Sequence, residues 1–382
     1  MVSELVQLKL NIETSVGEST PTEAEYGVPL PLVEVGVSRL DNRKEDMSMQ
    51  SVGIVGTGSY LPENVLTNVD LEQFVDTKDE WITSRTGIRQ RHIAPKDMPA
   101  SELCYRAGLR ALEDAQIAPE EVGLIIVATI TPDYAFPATA CLVADRLGAK
   151  NAAAFDLEAG CSGFVYAVAT ASQFVATGMY KTVLVIGGET MSKILNWEDR
   201  STCILFGDGA GAAVLQPVKE GFGFLSFELG SDGSGGLLLS QPAGGSQCPA
   251  SLETVGKNLH TLQMEGKEVY RFAIRIMGDV SIKVLEKAGL TKEDLDLLIP
   301  HQANMRIVDA AVKRLGISPD KVVVNLDKYG NMSAASIPVA LDEAVKEGRL
   351  AEGDIIVMVG FGTGLTWGAC VLKWTKVGFK ND

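Results

Sequence analysis

The sequence predicts an α/β fold made of two similar halves, and two observations predict it. Short runs rich in β-branched residues alternate with longer segments whose apolar residues recur at helical spacing. Three strings of the first half also find counterparts, in the same order, in the second: GLIIVATIT against DLLIPHQ, TVLVIGGE against DIIVMVGFG, and GAGAAVLQ against TWGACVLKW. Such self-similarity is the signature of an internal duplication. Two α/β halves packed together place a cleft between them, where strand ends and helix starts converge and ligands bind.

Each element follows from its local pattern. Residues 51–56, 123–130, 182–188 and 210–215 read as strands of the first half, with a helix over 101–115 and a helix of small residues after Cys161. In the second half a helix near 268–288 precedes a strand at 295–300. A helix at 305–315, a short strand at 322–325 (VVVN) and a helix near 333–347 come next, before strands at 354–360 and 367–374. The expected organisation is a weakly folding acidic extension over 1–48, a half at 49–220 carrying Cys161, and a half at 221–382 carrying His301 and Asn331. The extension reads as loosely ordered, or as sequence upstream of a start at Met47 or Met49, with a docking arm as the alternative.

With 34 basic and 49 acidic residues in 382, the formal net charge is −15. That balance argues against a broad nucleic-acid surface and against docking on an anionic membrane. No apolar run reaches the roughly 20 residues of a membrane helix, and no signal-peptide pattern opens the chain. The six cysteines form no CxxC pair, which points to neither a zinc site nor a disulfide framework, and reduced thiols fit a cytoplasm.

Three residues stand out chemically. Cys161, in FDLEAGCSGFVYAVATASQF, sits where an apolar stretch ends in glycine and a small-residue helix begins. Unpaired N–H groups at such a junction favour a thiolate and can hold an oxyanion, although a buried structural cysteine also fits the pattern. His301 follows a buried strand directly, in PHQANMRI, and faces either a cleft or the core. Asn331, in DKYGNMSAASIPVAL, lies at a turn where it or Ser333 can cap the next helix. Cys104, Cys141, Cys203 and Cys370 read as core, and Gly207-Asp208-Gly209 as a tight turn. The glycine cluster FGTGLTWG ends a buried strand and lets backbone amides approach a ligand.

From about Ser51 to Lys376 the chain resembles β-ketoacyl-acyl-carrier-protein synthase III, of the thiolase superfamily. The strings that carry the resemblance are GTGSYLPENVLTN, DEWITSRTGIRQRHIA, FDLEAGCSGF, DRSTCILFGDGAGAAVL, PHQANMRI, GNMSAASIPVAL and GFGTGLTWG, in the family's order. The resemblance implies a thiolase-like five-layer αβαβα sandwich of duplicated halves and a homodimer. It implies that Cys161 is acylated, and that His301 and Asn331 bind the malonyl thioester carbonyl. Trp81, Arg85, Arg200 and Asn304 then flank the coenzyme A path. Met191, Phe206 and Leu238 line the acyl pocket, and Phe136 closes the pocket of the partner subunit. Backbone N–H groups of Cys161 and Thr363 would form the oxyanion hole. The family commonly has a third glycine where this chain has Thr363, a change that keeps the backbone donor.

The implied reaction starts fatty acid synthesis: a short-chain acyl-coenzyme A condenses with malonyl-acyl-carrier protein, releasing carbon dioxide. Coenzyme A thioester is substrate, and no separate cofactor or metal is expected. The acidic carrier protein would dock on Arg306, Lys313, Arg314 and Arg271, with Lys267 nearby; a plain solvated helix face is the alternative. Two competing readings remain at this stage, an acyltransferase or secondary-metabolite enzyme of the same fold, and a non-catalytic scaffold.

Overall fold

Alternation of apolar residues organises the described residues, 49–376 and Gly378 of this computed structural model, into two principal sheets. The expected extension over 1–48 lies outside the described residues. The first sheet holds β1 (Val52–Tyr60), β2 (Leu124–Ala128), β3 (Ala153–Leu157), β4 (Val183–Thr190) and β5 (Asp208–Pro217), in the order β1-β5-β4-β2-β3. The second holds β6 (Gly223–Ser231), β7 (Leu297–Pro300), β8 (Ile355–Gly362) and β9 (Thr366–Lys373), in the order β7-β8-β9-β6.

The duplication read from the strings is visible in these orders. β2 pairs parallel with β4, β4 antiparallel with β5, and β5 antiparallel with β1. β7, β8, β9 and β6 repeat that sequence of pairings. The counterpart of β3 is the stretch expected as a strand at 322–325, which forms only an isolated parallel bridge between Val322 and Leu298. Asn325 ends it early. Its backbone N–H donates to the Gln302 carboxamide, and its own carboxamide reaches Glu343 at 2.7 Å.

Period-two alternation assigns each strand face to a layer. Ile125, Val127, Leu184 and Ile186 pack under α2 (Ala100–Ala115) and α3 (Thr139–Leu147). Their neighbours Leu124, Ile126, Val183 and Val185 face inward onto α4 (Gly163–Ala176) and α7 (Ser336–Lys346). From the other side, Leu297, Ile299, Ile356 and Met358 meet the same two helices. Leu298, Val357 and Val359 face α5 (Gly266–Lys287) and α6 (Met305–Leu315). The result is a five-layer αβαβα sandwich whose middle helices are covered by a sheet on each side; α7 also buries Asp342, whose carboxylate accepts from Thr57 Oγ1 at 2.9 Å. Residues 79–86 form one further helix, α1 (Asp79–Thr86), whose following residue Gly87 packs on Met305.

The middle layer lies close to the sheets because the sheets offer glycine. A Cβ on Gly211 of β5 would stand 2.6 Å from the Val339 nitrogen and 2.7 Å from the Pro338 carbonyl carbon of α7. Gly211→Ala is therefore expected to destabilise the fold by about 1–3 kcal/mol through overpacking. At about 1–2 °C per kcal/mol for a chain of more than 300 residues, scanning calorimetry should show a drop in Tm of a few degrees. Gly245→Ala, where a Cβ meets nothing within 4 Å, is the control. Equal Tm values for the two variants would contradict the packing described.

Candidate active site

A strand end, a glycine and a short turn place Cys161. The turn Gly160–Ser162 follows β3 and runs straight into α4. Gly160 takes φ +52°, a conformation that residues with a Cβ adopt only under strain. Space also requires glycine: a Cβ there would approach the Thr363 nitrogen to 2.8 Å, and one on the facing Gly362 would approach the Cys161 nitrogen to 2.3 Å. The two turns, one from each sheet, thus meet backbone to backbone. Hydroxyls fasten them. Ser162 Oγ lies 2.8 Å from the Ala159 carbonyl and from Thr366 Oγ1, which in turn lies 2.9 Å from the carbonyls of Ala159 and Thr363.

Cys161 is only 5% exposed and borders two cavities. The smaller, of about 120 Å³, is shared with His301, Asn331, Asn304, Phe206 and Phe361. The larger, of about 320 Å³, is shared with Met191, Phe206, Leu239, Leu262 and Thr363. Burial pushes the Cys161 thiol up to about 12, against a lowering hydrogen bond with Ser333. The sequence pattern favours a thiolate at this helix start, and desolvation of the site acts against it.

His301 continues the pairing of β7 with β8, its backbone N–H donating to the Val359 carbonyl at 2.8 Å. The ring is 1% exposed and edge-on to Phe361, with centroids 5.6 Å apart. Its Nδ1 is shut off from solvent and has no hydrogen-bond partner. Burial lowers its pKa to about 3, so the imidazole is neutral throughout the physiological range.

Asn331 is held by backbone pairing. Its N–H donates to the Leu205 carbonyl at 2.8 Å, and its carbonyl accepts from Gly207 at 3.0 Å. The fully buried Arg91 supports that segment by donating to the Ile204 carbonyl at 2.6 Å and to Asn68 Oδ1 at 2.9 Å. The Asn331 side-chain oxygen accepts the Ser333 N–H at 2.9 Å. With that oxygen engaged, the Nδ2 hydrogens are the group available to the cavity. Ser333 does not cap the next helix through its hydroxyl, which instead donates to Glu189 at 2.9 Å.

The remaining candidates fall into clusters. Arg85 and Arg200 each place a guanidinium 4.8 Å from the Trp81 ring centroid. Asn304 caps α6 and donates to the Arg85 carbonyl at 3.3 Å, while Arg306 donates to the Ser84 carbonyl at 3.1 Å. Those bonds tie the end of α1 to the cavity that holds His301. Thr363 turns its hydroxyl to the Leu239 carbonyl at 2.6 Å. Leu238 lines neither cavity; its neighbour Leu239 lines both. Phe136 lines neither and is 87% exposed. On the basic face Arg314 pairs with Asp279 at 2.9 Å and Arg271 with Glu268 at 2.6 Å. Among the described residues, Arg306 and Lys313 form no ion pair with a carboxylate.

Two other expectations change. Cys141 is exposed rather than core, because α3 turns that position outward. Gly207-Asp208-Gly209 is not a tight turn. Asp208 begins β5 fully buried, and its carboxylate accepts from the N–H groups of Ala94 and Ser192 at 2.7 and 2.8 Å. Sequence reasoning also passed over Glu189, Ser333 and Phe361. An acid closing the apolar run TVLVIGGE was the one available signal.

Comparison with known proteins agrees with this fold. Residues 155–233 match the family described as 3-oxoacyl-(acyl-carrier-protein) synthase III, and residues 285–374 match its C-terminal counterpart. A β-ketoacyl-acyl-carrier-protein synthase III of Desulfitobacterium hafniense is 73% identical over 330 residues, covering 86% of this chain and 100% of that one. One of Caldanaerobacter subterraneus is 61% identical, covering 85% and 98%. The crystal structure of 3-oxoacyl-(acyl-carrier-protein) synthase III from Aquifex aeolicus superposes with a TM-score of 0.78 at 48% identity, covering 85% of this chain and 100% of that one.

The contact between the two turns can be tested directly. Gly362→Ala should force the Cys161 turn out of place, relieve its burial and raise alkylation of Cys161 by iodoacetamide about tenfold or more. Peptide mass spectrometry reads the labelling. Wild-type labelling in this variant would show that the turns are not in backbone contact.

Proposed function

The chain belongs to the 3-oxoacyl-(acyl-carrier-protein) synthase III family, and on that premise we propose that Cys161, His301 and Asn331 perform its condensation. The enzyme is an acyltransferase that starts fatty acid synthesis, joining a short-chain acyl-coenzyme A to malonyl-acyl-carrier protein. The observation that carries the residue assignment is one cavity lined by all three side chains.

The first stage moves the acyl group to Cys161. The tetrahedral oxyanion is met by backbone N–H groups of Cys161 and Thr363, which belong to the two touching turns. The acyl chain enters the apolar cavity beside Met191 and Phe206, while coenzyme A leaves past Asn304 toward Trp81, Arg85 and Arg200. In the second stage malonyl thioester loses carbon dioxide, and its carbonyl becomes enolate-like. His301 and Asn331 each donate one hydrogen bond to that oxygen. Only a neutral imidazole gives such a donor without holding a counter-charge in an apolar site, and burial keeps His301 neutral. The carbanion then attacks the acyl-Cys161 carbonyl. All steps draw on these side chains and the two thioesters.

The same reading makes the enzyme a cytoplasmic homodimer. Phe136 is exposed and lines neither cavity that Cys161 borders, as a residue reaching into the partner would be. β3 pairs on one side only, which leaves a sheet edge for a second copy. No helix among the described residues is long and apolar enough to cross a membrane. Carrier protein docks beside α6, where Arg306 and Lys313 form no ion pair with a carboxylate among the described residues, and Arg314 and Arg271 flank them.

Cys161→Ala should abolish condensation. His301→Ala and Asn331→Ala should each lower kcat about 10²–10³-fold, the usual effect of losing one oxyanion donor. Acyl transfer from labelled acetyl-coenzyme A to Cys161 should persist in both. Loss of labelling in the two latter variants would remove the division into stages.

Lys313→Glu should raise KM for malonyl-acyl-carrier protein about fivefold at low salt and leave KM for acetyl-coenzyme A within about twofold. Steady-state kinetics with both substrates decide it. An unchanged KM for the carrier-bound substrate would move the docking face elsewhere.

A further inference from the structure

Behind Cys161 lies a polar path that the condensation chemistry leaves unused. Glu189 closes β4 and is fully buried, as is Ser333. Four donors converge on the carboxylate. Thr131 Oγ1 and Thr129 Oγ1 reach Oε2 at 2.6 and 3.1 Å, the Ile130 N–H stands 3.2 Å from both oxygens, and Ser333 Oγ donates to Oε1 at 2.9 Å. Thr131 Oγ1 in turn accepts the Thr190 N–H at 2.9 Å, which fixes the cradle. None of these partners is a cation. The turn Ser333–Ala335 packs on the Cys161 turn, and the Ser333 hydroxyl holds the thiol below the value burial alone would set, so one hydroxyl stands between nucleophile and carboxylate.

The position of that hydroxyl is held against local preference. Ser333 takes φ +47°, a left-handed conformation that glycine fills more easily. Glycine would remove the strain and the connection together.

We propose that Ser333 and Glu189 carry the Cys161 thiol proton away during acyl loading and return it during condensation. The inference rests on the reading of Cys161 as the acylated nucleophile. As loading proceeds, the S–H bond breaks and its proton passes to Ser333 Oγ. The hydroxyl proton of Ser333 passes to Glu189 Oε1, and the electron pair left on sulfur forms the new C–S bond. Coenzyme A departs as a thiolate and takes one proton from solvent. In condensation Cys161 leaves as a thiolate and recovers its proton from Glu189 through Ser333. Glu189 is therefore neutral while the enolate forms nearby, so no buried charge repels it. Ser333 touches the reacting sulfur; Glu189 acts through it as a positioning residue.

The ionisation of Glu189 suits this traffic. Burial pushes its carboxyl up to about 7, against the lowering effect of its donors. The titratable groups that feel its charge are Cys161 on the nucleophile turn and Cys104 on α2, with Asp133 and Asp156 acting on Cys104 from further off. Only ionised Glu189 can accept the proton. Loading should thus rise with pH through about 7, as the carboxyl loses its own proton.

The test is single-turnover loading of [14C]acetyl-coenzyme A from pH 5.5 to 9, with label located on Cys161 by mass spectrometry. Release of carbon dioxide from malonyl-acyl-carrier protein is measured in parallel. Glu189→Gln and Ser333→Ala should slow loading about 10²-fold and lose the rise near neutral pH. Loading should fall at least about tenfold more than decarboxylation, and Glu189→Asp should restore part of the pH-dependent rise. Equal losses in both half-reactions, or a wild-type pH profile in the variants, would overturn the relay. Ser333→Ala stands alone if Glu189→Gln does not fold. Absence of label on Cys161 in the wild type would instead overturn the reading on which the relay rests.

Discussion

The site depends on two turns that meet with no side chain between them. Gly160 and Gly362 let the backbone of one sheet touch the backbone of the other, with hypothetical Cβ atoms 2.8 Å or less from a facing nitrogen. Everything else is arranged around that contact. It brings two amide donors to one place, sets Cys161 at the junction of two cavities, and brings β8 alongside the nucleophile. Backbone donors placed this way need no reorganisation when charge develops, the property that makes an oxyanion hole effective. The hydroxyls of Ser162 and Thr366 satisfy the carbonyls that such close packing cuts off from water.

Exclusion of water has one electrostatic consequence expressed three times. Burial raises the thiol of Cys161 to about 12, raises the carboxyl of Glu189 to about 7, and lowers the imidazole of His301 to about 3. Each shift favours the neutral form, as desolvation must. In the proposed condensation the neutral imidazole serves as it stands, because a donor without charge is wanted at the enolate. The neutral thiol does not, since the nucleophile is the thiolate. A buried thiol requires a route for its proton, and in the proposed relay Glu189, behind the Ser333 hydroxyl, supplies it.

Much of the fold was legible because its signals are local and periodic. The helix over 305–315 ends where its stripe ends, and the strand strings that match between halves occupy matching places in the two sheets. The strand at 322–325 was misjudged because three valines outweighed one asparagine whose partners are distant in sequence. Cys161, His301 and Asn331 stood out because each follows a strand or turn with unusual composition. Their ionisation was not legible. A helix start favours a thiolate, and the depth of burial acts against it. Asp208 looked like a turn because flanking glycines usually mark one; here glycine leaves room for the Tyr329 carbonyl and the Met332 sulfur. Leu239 rather than Leu238 lines the cavities, a one-residue difference that alternation along an extended segment makes decisive.

Duplication explains why the site is asymmetric. In the sheet registers Gly188 of the first half pairs with Ala210 as Phe361 of the second pairs with Trp367, and Glu189 pairs with Gly209 as Gly362 pairs with Thr366. One half therefore ends its strand in a glycine and a buried acid, the other in an aromatic and a glycine. The aromatic meets His301 edge-on with centroids 5.6 Å apart, and an apolar neighbour leaves desolvation unopposed in keeping the imidazole neutral. The glycine lets the Cys161 backbone approach, where a Cβ would stand 2.3 Å from its nitrogen. An acid repeated at that second position would block the approach on which the Cys161 turn depends.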